Sequence, residues 1–134
     1  MTEQAIDICE VVADALAEAG IAAKAQPLTA IDRKSGTVVR LMPSVARRAY
    51  MDGSRLLDCY VQVVSKGEPG DEFGPMDVCE RAARALESAD LSSRNGSYGI
   101  VGLAEQDGDA ERVAVGTDMR HVWAVRIVAK IIRP

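Results

Sequence analysis

The run Arg55-Leu56-Leu57-Asp58-Cys59-Tyr60-Val61-Gln62-Val63-Val64-Ser65 decides the fold. Successive side chains of a strand point to opposite faces. As a strand, this run sets Leu57, Cys59, Val61 and Val63 on one face and Asp58, Tyr60 and Gln62 on the other. A second run, from His121 to Ile132, has the same form. It places Trp123, Val125, Ile127, Ala129 and Ile131 together, with Arg126 and Lys130 opposite. Both read as strands with one buried side, so the chain is expected to be built around a sheet. Neither brings catalytic chemistry with it.

Upstream of the first run, Asp52-Gly53 is a hairpin signal. It joins the run to residues 37–42, a strand that Pro43 interrupts and residues 45–50 continue after a bend. Residues 21–35 read as irregular. Before them, residues 3–19 read as a helix, since Ala5, Ile8, Cys9, Val12, Ala13 and Leu16 recur at the spacing of one apolar face. Thr2 suits its N-cap and Gly20 its end. Downstream, residues 66–74 form a loop, the segment of an ordered fold that most often carries contacts. A second helix covers residues 75–88, with Pro75 at its first helical position and Cys79, Ala82, Ala83 and Leu86 inward. Residues 92–96 make a turn. Residues 98–104 and 111–115 read as strands, with Gln106-Asp107-Gly108-Asp109 as the hairpin between them. No internal repeat is visible. The order α-β-β-α-β-β-β with short links predicts an α+β fold, a mostly antiparallel twisted sheet flanked by two helices.

At 134 residues the chain is expected to be one domain, residues 1–134, burying roughly two-thirds of its unfolded surface. The apolar share of 48% is that of a globular protein, with no run long enough for a membrane span. The acidic start, Met1-Thr2-Glu3-Gln4, argues against a signal peptide. Cys9, Cys59 and Cys79 are odd in number and far apart, so they read as reduced, mostly buried thiols. A net charge of −4 and five scattered aromatics argue against a general nucleic-acid binder.

Candidate chemistry is thin. His121 is the only histidine and has no neighbouring ligands at zinc spacing, so no metal site is expected. Ser97, in Asn95-Gly96-Ser97-Tyr98-Gly99, misses the nucleophile-elbow spacing and reads as an ordinary turn, although a dispersed triad does not need sequence proximity. Asp107, Asp109 and Glu111 lack the remaining ligands of a calcium loop and read as a solvated hairpin tip. The residues around Gly67 and Gly70 lack the phosphate-loop lysine. No catalytic residue and no cofactor are expected.

Charge is the best exposed feature. Glu3, Asp7, Glu10, Asp14 and Glu18 form an acidic stripe on the first helix. Arg33, Lys34, Arg40, Arg47, Arg48 and Arg55 form a basic middle segment. The stripe reads either as a solvated face or as one side of a head-to-tail contact with the basic strands of a neighbouring copy. In the 66–74 loop, Glu68, Asp71, Glu72 and Phe73 are partner candidates. Phe73 is either an exposed anchor or a ring folded back over the second helix.

The order of elements, with the hairpin Tyr50-Met51-Asp52-Gly53-Ser54, the acidic loop before residues 76–86, and the final strand Trp123-Ala124-Val125-Arg126-Ile127, resembles the small tail-terminator and minor capsid proteins of long-tailed bacteriophages and prophages. The resemblance covers nearly the whole chain. It implies a non-enzymatic structural protein of the virion, a hexameric ring on the tail tube that stops tube growth and meets the head-completion proteins. It further implies assembly in the host bacterial cytoplasm, then a place at the head–tail junction, with no specific nucleic acid, no membrane and no cofactor. Two other readings stay open: a small-ligand-binding or regulatory α+β module, and an enzyme with a dispersed site.

Overall fold

The computed structural model describes residues 6–23, 25, 35–116 and 118–134. In chain order the elements are α1 (Ile8–Glu18), β1 (Gly36–Leu41), β2 (Val45–Ala49), β3 (Arg55–Lys66), α2 (Phe73–Glu87), β4 (Gly99–Gln106), β5 (Glu111–Val115) and β6 (His121–Arg133). The two decisive runs pair with each other. β3 lies antiparallel to β6 along its whole length, from Arg55 opposite Arg133 to Lys66 opposite Val122. This register sets Leu57, Cys59, Val61 and Val63 across from Ile131, Ala129, Ile127 and Val125. A slip of one residue would send Asp58, Gln62 and Arg126 to that side instead, so burial fixes the register.

Both helices cover this apolar face. Ile8, Val11, Val12 and Leu16 of α1 and Cys79, Ala82, Ala83 and Leu86 of α2 join the strand residues in one buried cluster. The small side chains of Ala82 and Ala83 let α2 lie close to the sheet. The opposite face carries a second, smaller cluster of Val38, Val64, Val122 and Ala124. The architecture is therefore α+β, an antiparallel sheet flanked by two helices, as the pattern predicts.

The outer strands bend. β1 and β2 run in one direction along β3, with the break around Pro43 and the Met42 amide still donating to the Tyr60 carbonyl at 2.9 Å. They are the single bent strand expected there, closed by the 50–54 hairpin, where the Tyr50 amide meets the Ser54 carbonyl at 2.9 Å.

The expected hairpin at 106–109 is not present. β4 and β5 also run in one direction, along β6, with the Asp107 amide bonded to the Arg126 carbonyl at 2.8 Å. Gly108, at φ +82°, lets the backbone bulge outward and resume the same course. The reversal comes later, where the Gly116 amide donates to the Arg120 carbonyl and Met119 takes φ +63°. The chain thus passes twice through helix, bent outer strand, tight turn and long inner strand. The order across the sheet is β1/β2, β3, β6, β4/β5.

The helix ends also differ from expectation. Thr2 and Glu3 lie outside the described residues, and α1 starts at Ile8 with Asp7 at its N-cap position, the Asp7 carbonyl accepting from the Val11 amide at 3.0 Å. Its end is as expected: Gly20 donates to the Ala17 carbonyl and Ile21 to the Leu16 carbonyl, the paired bonds of a glycine C-cap, and Ile21 is buried. α2 starts two residues before Pro75 because Asp71 Oδ1 accepts the Gly74 amide at 2.9 Å, three residues on, as an N-cap side chain does.

Candidate interaction surfaces

Asp7 is not part of an exposed stripe. It is 9% exposed, at the start of α1, and its carboxylate is held by the 93–97 turn. Ser93 and Ser97 donate their hydroxyls to Oδ1 at 2.8 and 3.2 Å. The Arg94 and Asn95 amides donate to Oδ2 at 2.9 and 3.3 Å. Burial pushes this carboxyl upward, and the four hydrogen bonds together outweigh burial, leaving it below the ordinary carboxylate value. The 92–96 turn is therefore the ordinary turn expected, with the added task of pinning the first helix. Tyr98 locks the same turn by donating to the Leu91 carbonyl.

This geometry leaves no relay between Ser97 and His121. Ser97 precedes Gly99, which pairs with Ile132, while His121 opens β6 opposite Val115. At about 3.3 Å per residue the two sites are on the order of 35 Å apart. Glu10, Asp14 and Glu18 are exposed, and Asp14 forms an ion pair with Arg94 that ties α1 to the same turn.

Of the basic segment, Arg33 and Lys34 lie outside the described residues. Arg47 sits over Asp58 at 2.5 Å, while the other carboxylate oxygen, Asp58 Oδ1, is buried without a hydrogen-bond partner among the described residues. Arg40, Arg48 and Arg55 are exposed. The structure therefore does not gather the acidic and basic candidates into one site. They lie on separate elements.

The 66–74 loop is pinned rather than loose. Gly67 and Gly70 donate to the His121 and Met119 carbonyls at 3.1 and 2.7 Å. Glu68 pairs with Arg120 at 3.4 Å and Glu72 with Arg112 at 3.2 Å, so these acids serve the fold, as does the capping Asp71. Phe73 does not fold back: it stands 64% exposed at the start of α2.

On the sheet face away from the helices lies a hollow of about 290 Å³, bounded by Met42, Gln62, Asp107, Asp109, Glu111 and Arg126. Arg126 lies 5.2 Å above the Tyr60 ring and 2.6 Å from Asp107. Asp107 thus holds an arginine, and among the described residues no group of three or more His, Cys, Asp or Glu side chains is placed to hold a metal. All three cysteines are free. Burial pushes the Cys79 thiol up to about 12 and Cys9 to about 11, and raises Cys59 as well. These are poor nucleophiles.

Sequence reasoning missed the sheet edges. Leu41, Val45 and Tyr50 on one side and Val101, Leu103, Val113 and Val115 on the other are between 40% and 60% exposed. Their exposure follows from strand order, which no local pattern in the sequence announces.

No family model matches the sequence and no curated protein matches it. Among solved structures, the chain is similar to one from the virion of a native gene transfer agent (GTA) particle, at 20% identity and a TM-score of 0.50. The match covers 88% of this chain and 84% of that one. At this identity the likeness is one of fold.

Proposed function

We propose that the chain is a structural subunit of a phage-like particle, a tail-terminator-like protein that forms a ring, caps the tail tube and joins it to the head. The observation that carries this reading is the fold shared, over nearly the full length of both chains, with a subunit of a gene transfer agent virion. The pattern of elements in the sequence, which resembles the tail-terminator family, supports the finer part of this reading. The subunit is a single domain, the ring a hexamer, and the neighbours are the tail tube protein and a head-completion protein. The protein acts without catalysis or cofactor, assembles in the host cytoplasm and ends in the particle. Phe73, with the exposed Glu10 and Arg48, is a contact candidate that the fold leaves free.

Electron microscopy of particles made with and without the gene tests the proposal. Its removal is expected to give unjoined heads and tubes of uncontrolled length. Normal joined particles in its absence would overturn the reading. A ligand-binding module is the second reading, favoured by the hollow beside Arg126. A ligand-dependent rise in melting temperature would support it.

A further inference from the structure

We infer that copies of this chain meet edge to edge, the β4/β5 edge of one sheet against the β1/β2 edge of the next. The two edges of the sheet carry opposite charge. From Gly36 to Tyr50 the charged residues are Arg40, Arg47 and Arg48, with no acid among them. From Gly99 to Val115 they are Glu105, Asp107, Asp109 and Glu111, with one base, Arg112, which is paired with Glu72. These segments are the two outermost strands of one sheet. Arg47 and Asp107 are consumed by Asp58 and Arg126. Arg40, Arg48, Glu105, Asp109 and Glu111 are exposed and form no ion pair with another described residue.

Each edge also exposes apolar side chains, Leu41 and Val45 on the basic side and Val101 and Leu103 on the acidic side. An apolar strip edged by one sign of charge, facing a second strip edged by the other, is a self-complementary pair on a single chain. Because the two strips lie on opposite edges, the contact is head-to-tail and repeats from copy to copy, closing when the rotation per step divides a full turn. Register shifts at Arg47, between Val101 and Glu105, and at Val113 interrupt both edges. Such bulges discourage a continuous hydrogen-bonded ladder, so side chains make the contact. The acidic face of α1 is the weaker candidate, since Asp7 is buried and Asp14 is tied to Arg94.

This inference rests on the ring reading, and a charge swap separates the two. Three variants are compared with the wild type by light scattering over a concentration series: Arg40→Glu with Arg48→Glu, Glu105→Lys with Asp109→Lys, and all four together. Each single-edge variant is expected to weaken association about tenfold or more at low salt, and less at high salt. The four-fold variant, with its charges exchanged, should associate with itself and not co-assemble with the wild type. A wild type that assembles while both single-edge variants match it overturns the edge contact and leaves the ring reading standing. A wild type that is monomeric at every concentration overturns both. All four positions are exposed, and melting curves check that the variants fold. If a lysine or glutamate variant unfolds, Arg48→Gln and Glu105→Gln make the same comparison.

Discussion

Replacing Asp7 with alanine should cost the fold more than any other single acid on α1. Its carboxylate receives two hydroxyl and two amide hydrogen bonds while 9% exposed. A hydrogen bond to a charged group is worth about 1.5–3 kcal/mol. The amide donors belong to exposed residues and regain water in the variant, so the two hydroxyl bonds set the scale, at about 3 kcal/mol. For a chain of this length that is a loss of roughly 10 °C in melting temperature. The effect should depend on pH. Folding holds this carboxyl below its ordinary value, so the unfolded chain binds the proton more tightly. The stabilisation is then complete above about pH 5 and fades as the pH falls through the lowered folded value. Thermal melts of wild type and Asp7→Ala by circular dichroism from neutral pH downward would read this directly. The gap should be widest at neutral pH and narrow in acid. Equal melting at neutral pH, or a gap independent of pH, would refute the reasoning. A charge reversal on α1 that includes Asp7 is therefore expected to lower stability as well, so its effect on assembly is read only beside a melting curve.

Two further outcomes are expected. The native thiols should resist a thiol reagent at pH 8, since a group pushed to about 11 is thiolate in only about one molecule in a thousand there. Prompt reaction of two or more thiols before unfolding would contradict the burial of Cys59 and Cys79. Phe73→Ala should leave the melting temperature within the change of about 0.5 kcal/mol usual for a surface site, because the ring is 64% exposed. If Phe73 is a docking anchor, the same variant should weaken capture by the tail tube or head-completion protein in a pull-down. A marked loss of stability would show that the ring is packed after all.

The sheet was legible because one chemistry wrote it twice. Alternation in β3 and β6 fixes both faces, and the paired register leaves Asp58, Gln62 and Arg126 outside. Gly20 and the 50–54 turn were legible for a similar reason, since each needs a local backbone that few residues allow. The rest depended on distant partners. Asp7 sits at helical spacing with Glu3, Glu10 and Asp14, and nothing nearby reveals that a turn more than eighty residues away claims it. Asp107-Gly108 satisfies both a hairpin and a bulge, and only pairing with Arg126 selects the bulge. The sign difference between the edges is present in the sequence, but it acquires meaning only once β1/β2 and β4/β5 are known to be outermost.

The solution mass of the intact chain tests the central claim most directly. Light scattering over a wide concentration range should reveal a closed oligomer near six times the 14.3 kDa chain, persisting or appearing as concentration rises. A mass that stays at one chain throughout would contradict a ring-forming subunit.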